Sequence, residues 1–264
     1  MSVEINNFTE LEKSLIGMRT EFTNSTNTIK NIIEKPINQF FSWMELIKTI
    51  ATDTDDERYI LEVLTTAFKR IISSYILLES GFIRESVLPI RNYIELTLIA
   101  IDITYNQSSL EEWKKSDKDE LIIDSREHWY FKKASICKRI EDNLNDIYPI
   151  FTRNLAIGND AQKGRSLCRE WNTISNVAGH EHTSAQLRQL LKKPGHFSIL
   201  ESVTVKTLKD IFKNYRLFLL DIINLLIRIP KYRDIIIKDG SLLEKANVLS
   251  QDYDELMKEA ISET

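Results

Sequence analysis

Residues 79–105 read ESGFIRESVLPIRNYIELTLIAIDITY, and the reading of this stretch decides the fold. Its apolar residues recur at helical spacing and are dense enough to predict a helix buried on most sides. The same stretch carries Arg84, Arg91, Glu95 and Asp102 at steps of seven, four and seven, so the four fall in one stripe of a helix. Leu88 and Leu98 lie in that stripe between them. Charges among apolar neighbours are costly to bury unless they meet each other or another partner. Two readings follow. Either the helix holds a buried ion-pair network, with Arg91 and Glu95 pairing at i, i+4, or the stripe lines a polar groove. In the groove Arg91 grips a phosphate or carboxylate and Glu95 fixes its fork.

Outward from this helix the pattern stays helical. Seven Gly and five Pro in 264 residues are few, where an all-β chain with many tight turns would use more. Phe8, Leu11, Leu15, Met18, Phe22, Ser25, Ile29 and Ile32 form a heptad-like seam, opened by a Thr9-x-x-Glu12 capping box and predicted to close before Pro36. Ile37, Phe40, Phe41, Met44 and Ile47 mark a second helix. Ile60, Val63, Leu64, Ala67, Phe68, Ile71 and Tyr75 mark a third, stopped at Gly81. Pro89 is expected to kink or split the helix of the charged stripe just before Arg91.

Asn106 to Glu120 is polar, a loop or a short exposed helix. Trp129, Ile136, Ile140, Leu144 and Ile147 predict an amphipathic helix ending at Pro149, and Phe151 to Gly164 an irregular connection. Leu167, Trp171, Ile174 and Ala178 share a helix face stopped by Gly179. A long apolar helix is predicted from about Val203 to Pro230. Two short helices follow, each with a capping box, Ser241-x-x-Glu244 and Asp252-x-x-Glu255. The fold class is all-α, a single multi-helix domain. It divides into an N-terminal helical extension over 1–56, a helical core over 57–230 and short C-terminal helices over 231–264.

Composition excludes several functions. The net charge, 35 basic against 39 acidic residues, is −4 and argues against a general nucleic-acid coat. Cys137 and Cys168 have no CxxC spacing and no histidine ladder, so they read as reduced core thiols of a cytoplasmic protein, binding no zinc. The polar, acidic N-terminus MSVEINNFTELEK is not a signal peptide. Leu217 to Ile229 carries Asp221, Asn224 and Arg228, which makes it a core helix and no membrane span. No P-loop, GxGxxG, GxSxG or EF-hand motif occurs, and no metal or cofactor is expected.

One further constellation carries chemistry. His180 and His182 straddle Glu181 after Gly179. At i, i+2 they do not share a helix face, though in a loop they can converge. HEH is not HExxH, and a local hydrogen bond at a helix end is the plainer role. Between Asp160 and His196 six bases face three acids, against two bases and seven acids from Asp239 onward. That basic collar, with Arg165 and Arg169, suits phosphate or RNA, and it is equally an ordinary solvated face.

The order of LLESG, RESVLPIRNYIE, REWNTISNVAGHEHTS and a long apolar helix resembles the bacterial DUF5677 and AbiV-like helical families, which are similar to distant HEPN domains. The resemblance spans residues 59–230. It implies a HEPN-like core in which Arg91 and Glu95 lie near His180 or His182. Its functional implication is a homodimer of stress or phage-defence (abortive infection) type, with metal-independent ribonuclease activity. Arg91 would then be the electrostatic residue, Glu95 its orienter, His180 or His182 the proton carrier, and Arg84, Arg165 and Arg169 the RNA contacts. The HEPN signature of an Arg followed after four to six residues by His on one helix is absent, so any Arg–His pair is assembled from separate helices. The alternatives are a non-catalytic module that binds a protein partner, and a small-ligand sensor.

Overall fold

Helix-breaking residues lose to packing in this chain, and that contest sets its architecture. The computed structural model describes residues 8–50, 55–80, 82–118, 133–142 and 205–262. Among them the chain is all-α, a single domain without strands. The first helix, α1 (Phe8–Ile50), runs unbroken through Pro36 where the sequence predicts two helices. A proline inside a helix loses one hydrogen bond and crowds the preceding turn, costing about 3 kcal/mol. Against this, Ile33, Phe40, Trp43 and Ile47 are all buried across that point. Each contributes about 1.5–3 kcal/mol on burial, so packing wins.

After it come α2 (Asp55–Glu79) and α3 (Ile83–Tyr105), which fold back on each other and pack along most of their length. Pro89 lies within α3 and does not split it. The polar stretch after α3 is a helix, α4 (Gln107–Lys118), and α5 (Lys133–Asp142) buries the predicted Ile136 and Ile140. The long apolar helix is α6 (Val205–Ile227), and Pro230 begins α7 (Pro230–Lys238) at its first turn, where a missing N–H costs nothing.

The last helix is one element, α8 (Gly240–Ser262), where two short ones are predicted. Its start is capped by Asp239 and not Ser241. Oδ1 of Asp239 accepts the backbone N–H of Ser241 at 2.9 Å and of Leu242 at 3.1 Å. Gly81, Trp129, Leu144, Ile147 and the predicted helix over 167–178 lie outside the described residues.

All eight helices among the described residues share one apolar cluster, which includes Ile33 of the N-terminal part and Leu256 and Met257 of the C-terminal part. Helix α6 packs against α1 and α2, and α8 lies along α1. There Gln39 Nε2 donates to the Leu249 carbonyl at 2.5 Å, while the exposed Lys35–Glu259 pair at 3.3 Å adds little. Phe40 stacks on Phe68 with ring centres 4.0 Å apart. Among the described residues no helix is long and apolar enough to cross a membrane.

Cys137 corrects the expectation of reduced thiols: it is disulfide-bonded. Cys168, the one other cysteine in the sequence, lies outside the described residues.

Candidate functional site

The charged stripe lies on α3, and its two ends meet different surroundings. At the C-terminal end Asp102 is 2% exposed and is held by Arg139 of α5. Arg139 Nε donates to both carboxylate oxygens, at 3.1 and 2.9 Å, and Nη2 donates to Oδ2 at 2.5 Å. A planar fork on a carboxylate is the geometry in which a shielded ion pair offsets its own desolvation. Ile136 and Ile140 bury the face of α5 that sets Arg139 there. This end of the stripe is therefore structural. Sequence reasoning missed Arg139, because nothing in local spacing points to a residue 37 positions away.

Toward the N-terminus the stripe opens. Leu98 is buried, whereas Leu88 is 49% exposed. Arg91 is half buried, and its Nε is shielded from solvent with no hydrogen-bond partner among the described residues. The expected Arg91–Glu95 bridge does not form among the described residues. Glu95 is half buried and engaged elsewhere. The order of charges explains the missing bridge in part, since an acid N-terminal to a base is the favourable arrangement at i, i+4 and here it is reversed.

The α3 segment that carries Arg91 is fixed from the opposite side by buried hydrogen bonds. Ser74 of α2 donates to the Ser86 carbonyl at 2.6 Å and meets the Tyr215 hydroxyl of α6 at 2.6 Å. Tyr93 donates to the Phe218 carbonyl at 2.9 Å. Burial pushes the Tyr215 phenol above its ordinary value, against the opposing pull of hydrogen bonds with Ser74 and Ser86. Arg91 thus projects from a backbone that three helices hold still. Preorganisation of that kind suits a gripping residue.

The other end of the bundle carries a second polar group of residues. Burial raises the Tyr105 phenol despite the adjacent Arg228, and burial together with the Glu57 charge pushes Tyr232 up to about 12. Lys114 pairs with Asp56, and that hydrogen bond raises its pKa. These contacts join α2, α3, α4, α7 and the turn between α6 and α7.

Of the predicted site residues, Arg91 and Glu95 are described in full. Arg84 is placed in the first turn of α3 by its backbone. Arg165, Arg169, His180 and His182 lie outside the described residues. Among the described residues no group of three or more His, Cys, Asp or Glu side chains could hold a metal ion. No family model, no curated protein and no solved structure matches this chain.

Proposed function

We propose that this is a HEPN-like helical protein of bacterial stress or phage-defence type, a cytoplasmic homodimer that binds RNA and cleaves it without metal. The observation that carries the reading is Arg91, a guanidinium on a packed helix whose shielded Nε has no acceptor among the described residues. A buried donor left unmatched costs about 1–3 kcal/mol, a cost that an incoming phosphate oxygen removes. In the proposed reaction His180 or His182 takes the proton of a 2′-hydroxyl, whose oxygen attacks the adjacent phosphorus. The bond to the 5′ oxygen breaks, a proton is returned to that oxygen, and Arg91 neutralises the charge gathering on the remaining phosphate oxygens. The products are a 2′,3′-cyclic phosphate and a 5′-hydroxyl. Arg84, Arg165 and Arg169 would guide the strand.

The test is cleavage of end-labelled single-stranded RNA in excess EDTA. Wild type is expected to cut, and Arg91→Ala and the His180→Ala/His182→Ala double variant to lose roughly 10²-fold or more of the rate. Cleavage equal in all three folded proteins overturns the catalytic reading. The Asp102–Arg139 pair favours a second reading, a non-catalytic interaction module in which the stripe chiefly fixes helix register. That reading predicts no cleavage by any of the three.

A further inference from the structure

Lys69 and Arg70 are exposed side by side on α2, and neither has an ion-pair partner among the described residues. We propose that these two residues continue the anion site of Arg91 across α2, so that the outer face of the α2–α3 pair is a track for a phosphate-linked chain. On the reading above that chain is single-stranded RNA; the inference rests on the RNA-binding part of that reading and is independent of cleavage.

The placement follows from register and helical spacing. Helices α2 and α3 are joined by residues 80–82 and pack along most of their length, so they run antiparallel. Ser74 Oγ donates to the Ser86 carbonyl at 2.6 Å, which fixes their register. Five residues further from the connection on each helix, about 7.5 Å at the helical rise, Lys69 and Arg91 stand level with each other. Arg70 is the next residue on α2. The sides they occupy are set by their neighbours. Phe68 stacks on Phe40 of α1, and Tyr75 meets Phe212 of α6. Arg70 lies two residues after Phe68 and five before Tyr75, which turns it away from both partners. Arg91 lies two residues before Tyr93, which bonds to the Phe218 carbonyl of α6, so it too faces away from α6. Both arginines therefore open onto the outer side of the pair.

Charge and hydrogen bonding say what this face can hold. An arginine fork suits a phosphate, and a lysine serves one as a point charge. A strand that lies across these cations releases its condensed counterions, which favours binding without any base contact. The hydroxyls beside them are turned back to their own helix. Thr66 Oγ1 donates to the Glu62 carbonyl and Ser73 Oγ to the Lys69 carbonyl, each at 2.8 Å. The face thus offers charge and few groups that could read a base edge. Glu62, two turns before Arg70, and Glu95, one turn after Arg91, place acids toward the end where α5 meets α3, and they limit the track on that side.

The test measures binding. Full-length protein in excess EDTA is titrated into fluorescein-labelled 2′-O-methyl RNA, whose blocked 2′-hydroxyl prevents cleavage, and separately into labelled inorganic polyphosphate. Anisotropy is read over a series of salt concentrations. Lys69→Ala/Arg70→Ala is expected to bind both probes roughly tenfold more weakly at low salt, with the slope of log affinity against log salt shallower by about 1.4, two contacts at about 0.7 each. Lys238→Ala/Lys245→Ala removes the same charge from exposed positions of α7 and α8 and should bind as wild type does. Wild-type affinity and slope in the α2 variant overturn the proposal, as does an equal loss in the control. Wild type that binds neither probe overturns it together with the RNA reading. Binding of polyphosphate alone, lost in the α2 variant, keeps the track and overturns the RNA reading. Binding of RNA through these residues without cleavage of unmodified RNA keeps the proposal and overturns catalysis only.

Discussion

Arg91 and Asp102 belong to one stripe and meet different surroundings, so replacing them should have different signatures. Asp102→Ala removes the buried carboxylate on which the Arg139 fork closes and should cost about 3 kcal/mol in urea unfolding, with an unchanged m-value. Arg91→Ala removes a side chain whose Nε has no hydrogen-bond partner among the described residues, and its stability should stay within about 0.5–1 kcal/mol of wild type. A loss of several kcal/mol there would move Arg91 into the structural class with Asp102. The sequence made the stripe visible because helical periodicity depends only on neighbours along one chain. It could not show which charges are matched, since the partner of Asp102 comes from another helix. The pairing that local spacing does suggest, Arg91 with Glu95, is the one that fails to form. His180 and His182 stand out as the only histidine cluster, and their spacing to Arg91 is likewise a matter of tertiary packing.

Apolar repeats located the helices well, whereas local boundary signals placed their ends less well. Pro36 was expected to close a helix and Asp252 to open one, yet both lie inside continuous elements. A breaker acts with a few kcal/mol over one turn, while a buried face acts over the whole length of the helix. Pro230 kept its expected role, because α6 has already ended at Ile227 and the proline sits where no N–H is needed. The cap of α8 shifted by two residues, to Asp239. Asp239→Ala should therefore destabilise the protein by about 1 kcal/mol, and Ser241→Ala by much less, as measured by thermal unfolding. Equal effects of the two would return the cap to Ser241.

A single apolar cluster fed by all the described helices implies one cooperative unfolding transition and not separate melting of the terminal parts. Calorimetric and van't Hoff enthalpies should agree, and a resolved second transition would contradict this. Alkaline pH should weaken the whole assembly through its buried phenols. Tyr232 ionises at about 12 in the folded protein against 10.0 for an unperturbed phenol, and Tyr105 and Tyr215 are raised as well. A raised pKa means that the fold prefers the neutral form. Its contribution is complete below pH 10 and is lost as pH climbs through 12. The Tm should fall steeply over that window, and Tyr232→Phe should flatten the fall by about a few degrees. Trp43 adds an optical consequence. Its indole is 2% exposed within the cluster, and its ring N–H has no hydrogen-bond partner among the described residues. An indole so shielded emits at the blue end of the tryptophan range and is poorly reached by iodide. With Trp113, Trp129 and Trp171 replaced by phenylalanine, the colour of this one residue becomes a built-in gauge of whether the centre of the protein is dry.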